Sequence, residues 1–197
     1  MTTLGLELSS AKGSIAFVEG EKSLFVAEFA NDRKHSGLFF ENLRDCHEKL
    51  GNPDRIVVGL GPGSYAGTRI AIAAAIGLQT ATGAELVGLP SVCAMPTDAA
   101  TYAVIGDARR QTFFYALLTE RRCVEGPLLV TPEELKDRLD RLSCPLFSAE
   151  PLPQFPGASV LHPSAFVLAQ LEVAASDSTT LEPIYLREPH ITQPRSA

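Results

Sequence analysis

The stretch Ile56 to Gly83, IVVGLGPGSYAGTRIAIAAAIGLQTATG, decides how the rest of the chain is read. Ile56 to Leu60 are apolar with β-branched residues in front, and Gly61-Pro62-Gly63 cuts them off, so they read as a buried strand. A helix follows, with Ser64 as its N-cap, Ala, Ile and Leu inside it, and Gly83 where a left-handed residue would end it. No charged residue stands between Ile70 and Ala84, so no face of this helix is made for water and every side must be covered. Two ladders of small side chains run along it: Gly67, Ala71 and Ala75, and Ala73, Gly77 and Ala81. One ladder can lie on the chain's own sheet, and the other is left to receive a second helix at close range. The candidate partner interface is therefore Gly67, Ile70, Ala71, Ala73, Ala74, Gly77 and Ala81. A membrane span is set aside, because the uncharged run is shorter than the roughly 20 apolar residues required and contains Gln79, Thr80 and Thr82.

The glycine-rich turn admits three phosphate-site readings. Gly61, Gly63 and Ala66 satisfy G-x-G-x-x-G/A, yet the acid expected at the end of the next strand is absent, and Glu85 sits at that strand's start. A Walker A loop needs a lysine before its hydroxyl, and Thr68 follows Gly67 directly. An anion nest at the helix N-terminus, using Ser64, stays open. The favoured reading is a tight turn that lets a small-residue helix pack closely. Arg69, one turn into the helix, either binds an anion or anchors a loop.

The bulk properties narrow the function classes. A chain of 197 residues that is 45% hydrophobic holds one good core or two small ones. A net charge of −6 argues against gripping nucleic acid directly, since neutralising phosphates needs a surplus of lysine and arginine, so any RNA role passes through a partner. Cys46, Cys93, Cys123 and Cys144 form neither C-x-x-C pairs nor a zinc pattern, and no metal site is expected. With no basic-then-apolar opening either, a reducing cytoplasm is the expected location.

In chain order, Thr3 to Leu8, Gly13 to Val18 and Leu24 to Phe29 read as an antiparallel meander. Phe39, Leu43, Cys46 and Leu50 mark an amphipathic helix. His35 and His47 are too far apart to clamp a metal. The strand from Ile56, the central helix and a strand from Glu85 to Leu89 complete a β-β-β-α-β-α-β order, the ribonuclease H type of mixed α/β layer. The segment from Ser91 to Ala100 reads as the boundary between halves, dividing the chain into lobes 1–97 and 98–197. Past it the pattern restarts in reduced form: a strand from Tyr102 ending in Asp107, a turn, and a strand from Thr112 to Leu118, as in a degenerate duplication. Thr131, Pro132 and Glu134 give a capped helix start for a helix through Leu142. Short strands are expected at Cys144 to Ser148 and Ala158 to Leu161, a last helix from Pro163 to about Ala175, and an extended piece from Ile184 to Arg187.

Two hairpins, each with an acid ending its first strand, suggest the nucleotide cleft of actin-like and sugar-kinase ATPases. Such hairpins need glycines so the backbone can wrap phosphate oxygens. The first turn has Ser9, Ser10 and Gly13, whereas the second has Ala108, Arg109, Arg110 and Gln111, so autonomous phosphoryl transfer is not expected. Asp107 and Arg109 either pair across their turn or contact a partner or substrate. Ser64, Arg69, Asp107 and Arg109 are the candidate anion contacts, and no catalytic grouping of Ser, His and Asp or Cys and His can be assembled.

The run Gly61-Pro62-Gly63-Ser64-Tyr65-Ala66-Gly67-Thr68-Arg69-Ile70 resembles the G-P-G-S-F/Y-T-G-x-R-I/V signature of the bacterial TsaB family, also called YeaZ, of tRNA threonylcarbamoyladenosine biosynthesis. Leu4 to Ser10, Gly106-Asp107-Ala108-Arg109-Arg110 with Tyr115, and Glu182-Pro183-Ile184-Tyr185-Leu186-Arg187 are similar to that family as well. The resemblance implies an actin-like ATPase (ASKHA, ribonuclease H-like) α/β fold of two lobes with a reduced second lobe. It implies a non-catalytic subunit that pairs, through a helix bundle including the central helix, with the catalytic paralogue TsaD. TsaD transfers threonylcarbamoyl to adenosine in tRNAs reading codons that begin with A, the ATPase TsaE docks on the pair, and tRNA is met only indirectly. No cofactor of the chain's own is implied, with ATP or ADP at the partner boundary as the nucleotide candidate. Self-association into a homodimer is expected when the partner is missing, since the same apolar face needs covering. Two departures bear on the nucleotide: Leu6-Glu7-Leu8-Ser9 stands for the usual I-D-T-S, and Ala66 for Thr. The rival readings are an autonomous actin-fold ATPase or small-molecule kinase, a peptidase, and a plain homodimeric module.

Overall fold

The computed structural model describes residues 1–31, 36–172 and 181–186. His35, Arg187 and the end of the expected last helix, residues 173–175, lie outside them. Among the described residues, ten strands form two five-stranded sheets. The first contains β1 (Thr2–Glu7), β2 (Lys12–Glu19), β3 (Lys22–Ala30), β4 (Arg55–Gly59) and β5 (Glu85–Leu89) in the order β3-β2-β1-β4-β5. The meander β1-β2-β3 is antiparallel, and β4 and β5 add parallel beside β1, as short turns and helical crossovers respectively require.

Alternation along the buried strands sends their side chains to two faces. Leu4, Leu6, Ile15, Phe17, Ile56 and Val58 point to one face, which is covered by α1 (Gly37–Leu50) through Phe39 and Cys46 and by α2 (Tyr65–Thr82) through Ala71, Ile72 and Ala75. Val57, Val87 and Leu89 point to the other and meet Leu168 of α4 (Ala165–Gln170). Each such fully buried aliphatic is worth roughly 1.5–3 kcal/mol, so this double-sided layer dominates the stability of the first half. α4 reaches the first sheet from late in the chain. Its first N–H donates to the Ser14 hydroxyl (2.9 Å), and the Ser164 N–H donates to the Ala94 carbonyl (2.9 Å). The lobe expected at 98–197 therefore lends the first lobe a helix.

The second sheet repeats the first. β6 (Thr101–Asp107), β7 (Phe113–Thr119) and β8 (Arg122–Val130) form an antiparallel meander, and β9 (Leu146–Ser148) and β10 (Ser159–Val160) add parallel beside β6. The order β8-β7-β6-β9-β10 matches β3-β2-β1-β4-β5 strand for strand. This is the two-lobed actin-like α/β architecture with a smaller second lobe. β8 lies beyond the strands expected from sequence, and it carries Gly126-Pro127 in its middle. The structure accommodates that pair on an edge strand, where the register against β7 shifts between Tyr115 and Leu117, as proline within a sheet requires. The helix α3 (Pro132–Leu139) opens with the expected capping box: the Thr131 hydroxyl accepts from the Glu134 N–H (3.2 Å), and the Glu134 carboxylate accepts from the Thr131 N–H (2.8 Å). α3 ends three residues before Leu142, and α4 begins two residues after Pro163 and is over by Gln170.

Candidate functional site

β4 delivers the chain into the Gly-Pro-Gly turn, and that turn is fastened by three hydrogen bonds. The Gly61 N–H donates to the Ser91 hydroxyl (3.0 Å), the Ser91 N–H to the Gly61 carbonyl (2.8 Å), and the Ser64 N–H to the Ser9 carbonyl (2.6 Å). A side chain at Gly63 would collide with the Ser9 carbonyl, and one at Gly67 with the Leu8 carbonyl. Both glycines are there so that the start of α2 can press on the β1–β2 turn. The Asn31 amide donates to the Leu8 (2.8 Å) and Ser10 (2.7 Å) carbonyls. The Ser64 hydroxyl accepts from the Gly67 N–H (3.2 Å), as the N-cap reading requires, and the Thr68 N–H is held by the Ser64 carbonyl (3.0 Å). The N–H groups of Gly61, Ser64, Gly67 and Thr68 are thus engaged within the fold, and Ser64 acts as a cap.

The two ladders of α2 separate cleanly. Gly67, Ala71 and Ala75 are buried on the sheet, so Gly67 and Ala71 leave the candidate interface. Ala73, Gly77 and Ala81 are exposed, and a Cβ at Gly77 would meet nothing within 4 Å. Ile70 and Ala74 are half-buried against the core beside this ridge. The expectation that α2 is covered on all sides holds for its inner half only. Its outer half also carries Tyr65, 54% exposed, and Ile76, 42% exposed.

At the N-terminal end of that ridge stands a cluster the sequence reading did not assemble. The Arg69 guanidinium donates to the Tyr65 hydroxyl (2.5 Å) and lies 5.1 Å over the Tyr65 ring, which stacks on Tyr185 with centroids 5.3 Å apart. Tyr185 is brought there by the Ile184 N–H, which donates to the Leu60 carbonyl (2.8 Å). Arg69 thus braces the tyrosine that stacks on the Glu182–Leu186 stretch. The signal available in sequence was Tyr185 itself, within a stretch already singled out.

The two hairpin acids behave differently. Glu7 is fully buried, and one carboxylate oxygen accepts the Ser9 N–H (2.6 Å). The other, Oε2, has no hydrogen-bond partner among the described residues and fills the space that Gly59, lacking a side chain, leaves beside the Ser91 hydroxyl. Burial pushes its pKa up against the opposing pull of the Ser9 hydrogen bonds, because desolvation penalises the charged form. Asp107 turns back on its own hairpin, accepting the Arg109 N–H (2.6 Å) and pairing with the Arg109 guanidinium (3.1 Å). That is the turn-stabilising reading, and its N–H is held by Glu150 (2.9 Å). Arg109, Arg110 and Gln111 all take left-handed backbone angles, so the second turn offers bulky side chains where phosphate wrapping needs bare backbone. These residues do not fit a magnesium nucleotide held by this chain. Among the described residues, no group of three or more His, Cys, Asp or Glu could hold a metal ion, and no helix is long and apolar enough to cross a membrane.

The structure is similar to YeaZ from Pseudomonas aeruginosa, with a TM-score of 0.70 and 23% identity over 93% of this chain and 99% of that one. It is likewise similar to a protein described as uncharacterized, with similarity to peptidase YEAZ from Pseudomonas aeruginosa, with a TM-score of 0.72 and 24% identity over 94% and 99% of the two chains. No curated protein matches the sequence significantly. The family model described as TsaD, tRNA N6-adenosine threonylcarbamoyltransferase, matches residues 33–140. That match spans more than half of the 197 residues, from the approach to α1 through α2 to the end of α3, and on it this chain, with its YeaZ-like fold, belongs to the TsaD family.

Proposed function

We propose that this chain is a non-catalytic, TsaB-like subunit in tRNA modification, which activates a catalytic TsaD relative by pairing with it through the outer face of α2. The observation that carries the reading is that face itself. Tyr65, Ala73, Ile76, Gly77 and Ala81 are exposed along a helix with no charge after Arg69, and small residues let a second helix approach to 8–10 Å between axes. Tyrosine and arginine at one end of an apolar ridge are the residue types on which interfaces concentrate binding energy. The non-catalytic part is supported by Glu7, packed against Gly59, and by a second hairpin without glycine. On this reading the product is threonylcarbamoyladenosine in tRNAs that read codons beginning with A, formed in the cytoplasm. A TsaE-type ATPase docks on the pair, tRNA is contacted through the partner, and any ATP or ADP sits at the partner boundary. Alone, the chain covers the same face by forming a homodimer.

The test is reconstitution: purified catalytic relative, tRNA, ATP, threonine and bicarbonate, together with the upstream enzyme that makes threonylcarbamoyl-adenylate and a TsaE-type ATPase, are assayed for the modified nucleoside with and without this chain. Modification that requires the chain, while the chain alone neither modifies tRNA nor hydrolyses ATP, supports the proposal. ATP turnover by the chain alone would replace it with the autonomous ATPase reading.

A further inference from the structure

The two sheets share a strand order but not their helices. In the first half α2 crosses between β4 and β5 and lies on the sheet face beside α1. In the second half α3 takes the place of α1, but residues 149–158 cross from β9 to β10 as a proline-rich loop without a helix. The position equivalent to α2 is left as a cavity of about 1020 Å³ between α3 and the loop. Phe113, Leu139, Leu142, Leu146 and Phe155 line it, together with Arg109 and Arg110 of the β6–β7 turn and Lys136 of α3. Asp107 and Asp140 are its two carboxylates, and Asp107 is engaged with Arg109. Three cations to two carboxylates give this site a positive balance in a chain of net charge −6.

The turn that supplies the arginines reinforces the point. Arg109, Arg110 and Gln111 have φ values of 67°, 52° and 58°, a conformation that glycine adopts freely and bulky residues do not. Side chains are held there against the backbone's preference.

We propose that this cavity binds an amphipathic organic anion, its apolar body along α3 over Phe113 and Leu146 and its carboxylate or phosphate against Arg110 and Lys136. The eight residues of α3 span about 12 Å at 1.5 Å per residue, the length of a medium acyl chain. The volume is near the upper end of small-ligand sites, which pair apolar walls with a few convergent polar groups.

The full chain is titrated calorimetrically, below micelle formation, with decyl phosphate, decanoate, decyltrimethylammonium and decanol, and the same additions are followed by amide NMR. Saturable binding of at least one anion is expected, with shifts at Phe113, Leu142 and Phe155, and weak or no binding of the cation and the alcohol. Binding of decyl phosphate but not decanoate would identify phosphate as the headgroup, and the reverse a carboxylate. The paired change Arg110→Glu and Lys136→Glu should weaken anion binding at least about tenfold. Leu142→Trp should abolish it by filling the space. Equal binding of anion and cation, shifts confined to α2, absence of saturation, or undiminished affinity in the paired variant would overturn the proposal.

Discussion

Glu7 shows how a single residue can be legible as a position and illegible as an environment. Its place at the end of the first strand follows from the alternating Leu4, Leu6 and Leu8, but its burial depends on Gly59, in a strand 52 residues away, having no side chain to fill the same space. The consequence is a pH dependence with a definite sign. An ordinary glutamate titrates near 4.5, and burial raises the folded-state value above that. Below pH 4.5 both states hold the proton. As the pH rises the unfolded chain loses it first, so the stability associated with this site falls until the folded value is passed. Glu7→Gln should therefore gain on the wild type in urea midpoint as the pH goes from roughly 5 to 8; a difference that does not change with pH would contradict the burial. Asp107 makes the opposite case, since its pairing with Arg109 two residues on was readable from spacing. The pair is exposed on the arginine side and worth little, and an asparagine oxygen can still accept the Arg109 N–H. Asp107→Asn should lower stability by less than about 1 kcal/mol, measured by urea unfolding.

At the scale of elements, the sequence gives most where local rules act alone. The capping box at Thr131 and the left-handed Gly83, with φ 73°, lie where the residues place them. The ladder that faces inward could not be chosen from spacing, because Gly67-Ala71-Ala75 and Ala73-Gly77-Ala81 are equally small. Only the depth at which α2 presses on Leu8 and Ser9 decides it. Gly77 now carries a clear prediction: with open space beyond it, Gly77→Ala should stabilise the chain by about 0.5–1 kcal/mol, the helix-propensity difference, seen as a raised Tm. Gly5 carries the reverse. A side chain there would run into the backbone carbonyl of Ala165, which cannot swing aside as a side chain can, so Gly5→Val should cost about 1–3 kcal/mol or more and loosen α4, detected by faster amide exchange at Leu168. β8 is hard to read locally, because Gly-Pro is turn-like in composition, whereas its edge position and register shift are properties of the assembled sheet.

For the whole molecule, the repeat of one strand order in two sheets was legible as a degenerate duplication, since each half opens with a strand, an acid and a return strand. What the sequence concealed is how the halves are joined. α4 crosses back to the first sheet, and Leu181 and Ile184 pack on the first core while Leu186 packs on the second. These contacts join residues far apart in sequence, where periodicity carries no information. Among the described residues the joined molecule leaves a long apolar ridge outside, the outer face of α2, and the proposed partner is the chain that covers it. The direct measurement is the affinity of the purified chain for its catalytic TsaD relative, by calorimetry, for the wild type and for Gly77→Leu. Because a Cβ at position 77 meets nothing within 4 Å in the monomer and leucine is a better helix former than glycine, a Tm no lower than the wild type's is expected together with a loss of at least about 2 kcal/mol in binding, roughly thirtyfold in Kd. A Gly77→Leu chain that binds its partner as tightly as the wild type would contradict it.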